Sequence, residues 1–181
     1  MSRTTVRDWY GAGLELLAAK GAEALSLAAL CERVGVTKGS FYHHFDTMAA
    51  FHEGMLHHWA GGPTDGPSID LGGLDAHARL SLLRQMAVES THETEVAVRA
   101  WASWYELAAR ALRRVERRRH RVLATNFEQL GLDEAHAATL ARVGVYLMAG
   151  VQSDIDKVDR ALLDEVLTEY QRWIEASLPA T

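Results

Sequence analysis

Between Thr37 and His43 the chain gathers side chains suited to gripping a phosphate backbone and reaching the edge of a base. Lys38 brings an ammonium, Thr37, Ser40 and Tyr42 bring hydroxyls, and His43 brings an imidazole, while Gly39 has no side chain to hold an approaching surface away. No acidic residue lies between Glu32 and Asp46. Arg3 and Arg7 add two further cations ahead of this stretch. The whole chain of 181 residues nevertheless has 19 Lys+Arg against 24 Asp+Glu, a formal net charge of -5, so it lacks a general basic footprint and any affinity for nucleic acid has to be local.

Donors in this order need a short helix to present them, and the flanking sequence supplies one. Val6, Tyr10, Gly13, Leu14, Leu17 and Ala18 form the apolar side of a first helix that stops at Lys20-Gly21, where the glycine suits a left-handed cap. Ser26 caps a second helix from Leu27 to Val34, with Leu27, Leu30, Cys31 and Val34 on one face. Gly35-Val36-Thr37 breaks it, and Thr37 opens a third helix, Lys38 to Phe45, whose hydroxyl-capped first turn carries the donors and whose Phe41, Tyr42 and Phe45 point inward. Asp46 or Thr47 caps a fourth, buried through Met48, Phe51, Met55, Leu56 and Trp59. Helix, tight break and helix have the spacing of a helix-turn-helix, whose second helix enters the major groove of DNA by its first turn.

The remainder of the chain also reads as helical. Pro63 and Pro67 sit among Gly61, Gly62, Gly66, Gly72 and Gly73, which makes 61–73 a linker between an N-terminal domain (1–60) and a C-terminal bundle (74–181). Apolar residues beyond it recur at helical spacing, giving helices over about 74–90, 94–104, 105–130 and 134–150, and a ninth from Asp156 or Lys157 to Leu178. The class is all-α with about nine helices. The eighth is apolar almost all round (Leu140, Val143, Val145, Tyr146, Leu147, Met148), and the ninth has two stripes, Val158, Leu162, Val166, Trp173 and Leu163, Leu167, Tyr170, Ile174, so both need more than one partner. The apolar run Val143–Val151 is less than half the roughly 20 residues of a membrane span, the polar start lacks a signal peptide's apolar core, and Cys31 is the only cysteine; a cytoplasmic protein without zinc-finger chemistry is expected.

Leu27-Ala-Ala-Leu-Cys-Glu-Arg-Val-Gly-Val-Thr-Lys-Gly-Ser-Phe-Tyr-His-His-Phe45 resembles the signature of the TetR (tetracycline-repressor-like) family of bacterial transcriptional regulators, over roughly residues 4 to 60. By that resemblance Thr37 begins the recognition helix, Lys38, Gly39 and Ser40 face bases or phosphates, Tyr42 and His43 contact the backbone, and Phe41, His44 and Phe45 support the helix. Many members carry a lysine two residues after the position of Asp46, where it helps hold a phosphate; Met48 stands there in this chain. The resemblance further implies a homodimer on a pseudo-palindromic operator in double-stranded DNA, with a bundle that binds a small effector and releases the DNA.

Met86, Trp101, Trp104, Tyr105, Phe127, Tyr146 and Met148 are the large side chains available to hold an apolar or aromatic effector, although for any one of them core or dimer packing is the plainer role. A metal-dependent bundle enzyme is the contrasting reading. It would want two Glu-x-x-His motifs, and only Glu89 to His92 has that spacing at a helix end; His52, His57 and His58 read as surface or hinge histidines. With no nucleophile elbow, Ser-His-Asp order or phosphate loop, neither catalysis nor a metal or other cofactor is expected. A DNA-binding dimer whose bundle only meets other proteins is the third reading. Arg110, Arg113, Arg114, Arg117 and Arg121 share one helical face, read as solvated or ion-paired with Glu106 and Glu116.

Overall fold

The computed structural model describes residues 4–61, 73–90, 92–153 and 158–178. Among them are nine α-helices and no strand: α1 (Val6–Lys20), α2 (Leu27–Val34), α3 (Lys38–His44), α4 (Met48–Trp59), α5 (Ala76–Glu89), α6 (His92–Ala102), α7 (Glu106–Gln129), α8 (Glu134–Gln152) and α9 (Arg160–Ala176), with a short 3-10 turn at Ala22–Ala24. Arg3, most of the expected linker, and the expected opening of the ninth helix at Asp156 or Lys157 lie outside the described residues. The cap of α9 is Asp159, whose carboxylate accepts from the amides of Ala161 and Leu162 at 2.9 and 3.2 Å.

Compactness divides the chain at other places than the expected 60/74 boundary. One unit holds the described residues of Met1–Pro67 together with Glu93–Val115, and the other those of Ser68–His92 and Glu116–Thr181. The reason is the core. Val98, Trp101, Ala108, Ala111, Leu112 and Val115 are buried in one cluster with Trp9, Leu17, Leu30, Phe41, Phe51 and Met55.

In the first unit the buried side of α1 is Trp9, Ala12, Gly13, Leu16 and Leu17. The expected stripe is turned by about one residue: Val6 is exposed and Tyr10 half-buried, because the indole of Trp9 takes the central place, edge-on to Phe41 with ring centres 5.3 Å apart. A capping box fixes the start of α1, Thr5 Oγ1 accepting from Asp8 N at 3.3 Å and Asp8 Oδ2 accepting from Thr5 N at 2.7 Å. Helices α1 and α4 approach closely at two glycines: a Cβ at Gly13 would lie 2.5 Å from Met55 Sδ, and one at Gly54 would lie 2.0 Å from the Tyr10 hydroxyl. Gly21 has positive φ (76°) as expected, but its ψ of 177° lies outside the left-handed helical region, in one open essentially to glycine alone.

The second unit is built on Leu80, Phe127, Leu132, Ala137, Ala141, Leu163, Leu167, Tyr170 and Ile174. Helix α9 packs on both α5 and α8. One of its two stripes, Leu163, Leu167, Tyr170 and Ile174, is buried; on the other Leu162 and Trp173 stay exposed, Trp173 by 55%. Tyr146 on α8, placed in an all-round apolar helix by its sequence, is also exposed. No helix among the described residues is long and apolar enough to cross a membrane.

Candidate nucleic-acid interface

Helix α2 is set by its ends. Ser26 Oγ accepts from Ala29 N at 3.2 Å, and Gly35 at φ 76° and ψ 34° occupies the left-handed region, its amide donating to Cys31 O at 2.9 Å. That turn redirects the chain into α3 within three residues. Exposed Arg33 is drawn back toward α1, its Nε donating to Glu15 Oε2 at 3.0 Å.

Helix α3 is held by its rings and presents what lies between them. Phe41 is fully buried against Trp9, Phe45 and Phe51, with centres 5.3, 5.1 and 5.6 Å away. Residues Thr37, Lys38, Gly39, Tyr42 and His43 are exposed and Ser40 is half-exposed, so the structure brings these six expected contacts to one short helix and its cap. Arg7 is exposed on the first turn of α1. Two expectations are corrected. Tyr42 does not point inward: it is 56% exposed and only edges against Phe41 at 5.5 Å. Thr37 makes no side-chain capping bond; the turn closes through its carbonyl, which accepts from Ser40 N at 3.0 Å, so the hydroxyl is not committed to the helix end.

Helix α4 follows on a cap by Thr47, which accepts from Ala50 N at 3.0 Å, and Met48 in its first turn is half-buried against the core. His52, expected at the surface, instead lies half-buried with Nδ1 3.3 Å from the Tyr105 hydroxyl and its ring edge-on to Trp101 at 5.0 Å. Its Nε2 is buried without a partner, and burial lowers its pKa from the ordinary histidine value. Burial also raises the Tyr105 pKa, with help from the nearby charge of Glu53. His57 Nδ1 accepts from Arg114 Nη1 at 3.2 Å, and His58 lies against Tyr10 at 5.6 Å. Of the basic face on α7, Arg110 and Arg113 pair with Glu106 at 3.8 and 2.8 Å.

The seven side chains expected around an effector are not gathered in one unit. Trp101, buried and stacked on Tyr105 at 4.7 Å, and the 66% exposed Trp104 belong to the first. Met86, Phe127, Tyr146 and Met148 belong to the second, where Phe127 is fully buried, Met148 half-buried, and Met86 and Tyr146 exposed. Glu89 and His92 do not form a ligand pair: Glu89 ends α5 and is exposed, whereas His92 begins α6 and is buried. No group of three His, Cys, Asp or Glu side chains suited to a metal occurs among the described residues. Sequence reasoning passed over Gln152 altogether and weighed His92 only as a metal ligand; both are 2% exposed.

A two-helix turn with a polar outward face on an aromatic core, followed by further helices, is the arrangement of an all-α protein with a helix-turn-helix. Residues 10–54 match the family described as bacterial regulatory proteins, tetR family. The fold of the whole chain is that of solved regulators. It matches a TetR transcription regulator from Haloarcula marismortui (TM-score 0.78, 18% identity, 96% of this chain and 98% of that one) and a transcriptional regulator from Rhodococcus sp. Rha1 (0.76, 19%, 98% and 100%). A third match, a putative transcriptional regulator from Saccharomonospora viridis solved in complex with choline, has a TM-score of 0.76 at 13% identity, over 97% of this chain and 98% of that one. No curated protein matches the chain.

Proposed function

We propose that the protein is a cytoplasmic, homodimeric transcriptional repressor that reads a pseudo-palindromic operator through α3 and leaves it when a small apolar or aromatic effector binds. The observation that carries the reading is the outward presentation of Thr37, Lys38, Gly39, Ser40, Tyr42 and His43 on a helix anchored from behind by fully buried Phe41. Arg3 and Arg7 are proposed as added phosphate contacts. Selection of binding sites from random DNA, followed by titration of Lys38→Ala, tests it. A phosphate contact predicts uniformly weaker binding and a salt slope lower by about one; a base contact predicts lost discrimination at one position, about 1–3 kcal/mol. Unchanged affinity and slope remove Lys38 from the interface.

Dimerisation is supported by the second stripe of α9 and its neighbour on α8, where Leu162, Trp173 and Tyr146 are exposed together with Val122 on α7. A two-fold dimer sets two recognition helices on successive major grooves, about 34–36 Å apart. Trp173→Lys combined with Leu162→Lys replaces exposed side chains and gives a folded monomer in light scattering; a dimer unchanged by it places the interface elsewhere.

Effector binding has two sets of proposed contacts, Met86, Phe127, Tyr146 and Met148 in one unit and Trp101, Trp104 and Tyr105 in the other. The choline complex of the Saccharomonospora relative supports a small-molecule site in this architecture. Coupling is reciprocal: an effector that weakens operator binding tenfold, about 1.4 kcal/mol, is itself bound tenfold less tightly by the DNA complex. Tryptophan fluorescence titrations with and without operator check this equality. A ligand bound equally in both is not the effector.

A further inference from the structure

Helix α7 carries the densest run of positive charge in the sequence. From Arg110 to Arg121 it has seven arginines and one acidic residue, Glu116, in a chain whose net charge is -5. Arg110, Arg113, Arg114, Arg117 and Arg121 recur at i, i+3, i+4, i+7 and i+11, so they share one face of an uninterrupted helix, and all five are exposed. The opposite face of that helix is held in the core by Ala108, Ala111, Leu112 and Val115.

Ion pairing, expected from the sequence, accounts for part of this face and not the rest. Arg110 and Arg113 share a single carboxylate, that of Glu106, at 3.8 and 2.8 Å. Arg114 donates to His57 Nδ1 at 3.2 Å, a neutral acceptor that leaves the guanidinium charge uncompensated. Arg117 and Arg121 have no ion pair or guanidinium hydrogen bond among the described residues. Glu116 is turned about 110° from the centre of the stripe and is half-buried. Arg110 and Arg114, Arg113 and Arg117, and Arg117 and Arg121 are like charges at i and i+4, which weaken a helix. The stripe therefore does nothing for the stability of α7, and a polyanion laid along it relieves the repulsion.

The charge spacing matches one polyanion in particular. Five guanidinium groups along about 16 Å of helix give roughly one charge every 3–4 Å, against 3.4 Å per phosphate along one strand of a DNA duplex. The planar fork of arginine also suits phosphate oxygens better than a point charge does. Among the exposed residues of α3 and its cap only Lys38 is permanently charged, so the reading helix adds little to the attraction a DNA backbone exerts regardless of sequence. We infer that the arginine face of α7 is a second nucleic-acid surface, which binds the phosphate backbone of duplex DNA without regard to sequence. The inference does not depend on the operator reading above: the duplex on α7 is any DNA, whether or not α3 selects a site.

The test uses the full-length protein and a random-sequence duplex of about 30 base pairs, titrated between about 50 and 200 mM salt. Arg117→Gln with Arg121→Gln is expected to lower the slope of log affinity against log salt by about two, and to weaken binding about tenfold or more at the lowest salt. Its melting temperature is expected to equal or exceed the wild type's, because a like-charge pair has gone. Arg117→Lys with Arg121→Lys keeps the charge and is expected to keep most of the slope. Lys20→Gln with Arg142→Gln takes the same charge from exposed positions on α1 and α8 and is expected to leave the slope within about half a unit of the wild type's. An unchanged slope in the first pair, or an equal fall in the Lys20 and Arg142 pair, overturns the inference. So does a first pair that loses binding to polyglutamate while its binding to the duplex stays as it was, since the face then serves an acidic protein. A wild type that selects no sequence from random DNA, with the slope change intact, overturns the operator reading and supports this one. Operator selection with an unchanged slope does the reverse.

Discussion

The two units solve the problem of a core in different ways. Behind the recognition helix the packing is aromatic and continuous: Trp9, Phe41, Phe45 and Phe51 meet ring to ring at 5.1 to 6.3 Å, and two glycines let α1 and α4 close on them. The second unit is largely aliphatic; among its described residues rings meet as Phe127 on Tyr170 at 6.4 Å and His120 on Tyr146 at 6.3 Å, and it buries His92, Asn126 and Gln152 with hydrogen bonds unmade. A dense ring cluster has one good arrangement, which suits a part whose task is to hold a few donors in register with DNA. A core with unmade bonds is less stable than it would be with them filled. On this contrast we expect the first unit to be the more constant and the second the more adjustable.

The largest expected effect attacks the constant part. Phe41→Ala removes a fully buried ring that touches Trp9, Phe45 and Phe51 and leaves a cavity behind α3. About 3–5 kcal/mol of stability is expected to go, read as a lower urea midpoint in tryptophan fluorescence, and specific DNA binding with it. A loss below about 1 kcal/mol would show that the ring cluster relaxes easily and that the contrast between the units is overstated.

The next effect is smaller and its sign is the diagnostic. Gln152→Leu or His92→Phe alone gives up the 3.2 Å bond between Gln152 Nε2 and His92 Nδ1 and leaves the other side chain buried and unpaired, costing about 0.5–1.5 kcal/mol each. The double variant leaves no orphan of the pair and is expected to match or exceed the wild type, a non-additivity that thermal unfolding of the four proteins measures. Additive losses would mean that the pair is satisfied in solution, and the second unit would then be as constant as the first.

How much of this was legible in the sequence follows from the range of the interactions. Local signals were readable: Ser26 and Thr47 cap the helices that their neighbours form, Gly35 makes the turn, and Phe41 and Phe45, one helical turn apart, face the core. The outward face of α3 was readable for the same reason, being what the buried rings leave over. The buried side of α1 was readable in part: Gly13 and Leu17 of the expected stripe are buried, but Trp9 and Leu16 take the places expected for Val6, Tyr10 and Leu14, because both sets are apolar at helical spacing and only contact with Phe41 chooses between them. His43 and His57 are exposed as expected, but His52 and His92 were not readable. His52 meets a partner 53 residues away and His92 one 60 residues away, and no local pattern marks either as buried.

The first unit has buried nitrogens without partners too, Trp9 Nε1 and His52 Nε2, and His52 gives the smallest and most selective test. Its ring sits between Tyr105 and Trp101 with Nε2 unpartnered, and burial disfavours its charged form, so its pKa in the folded unit lies below the unfolded value of about 6.5. Between those two values the unfolded chain binds a proton at this position that the folded unit refuses. Stability therefore is complete above about pH 6.5, falls as the pH drops from there toward the folded value, and levels off below it. His52→Phe keeps a ring against Trp101 and removes the titration, although it gives up the 3.3 Å contact with Tyr105. Its melting temperature is expected to be slightly lower than the wild type's at pH 8, yet to fall less between pH 7 and pH 5. The eight other histidines of the chain are common to both proteins, so the difference between the two pH slopes isolates this one. Parallel slopes would mean that water reaches Nε2 and stabilises the charged ring, and the aromatic unit would then contain an open polar point directly behind α4.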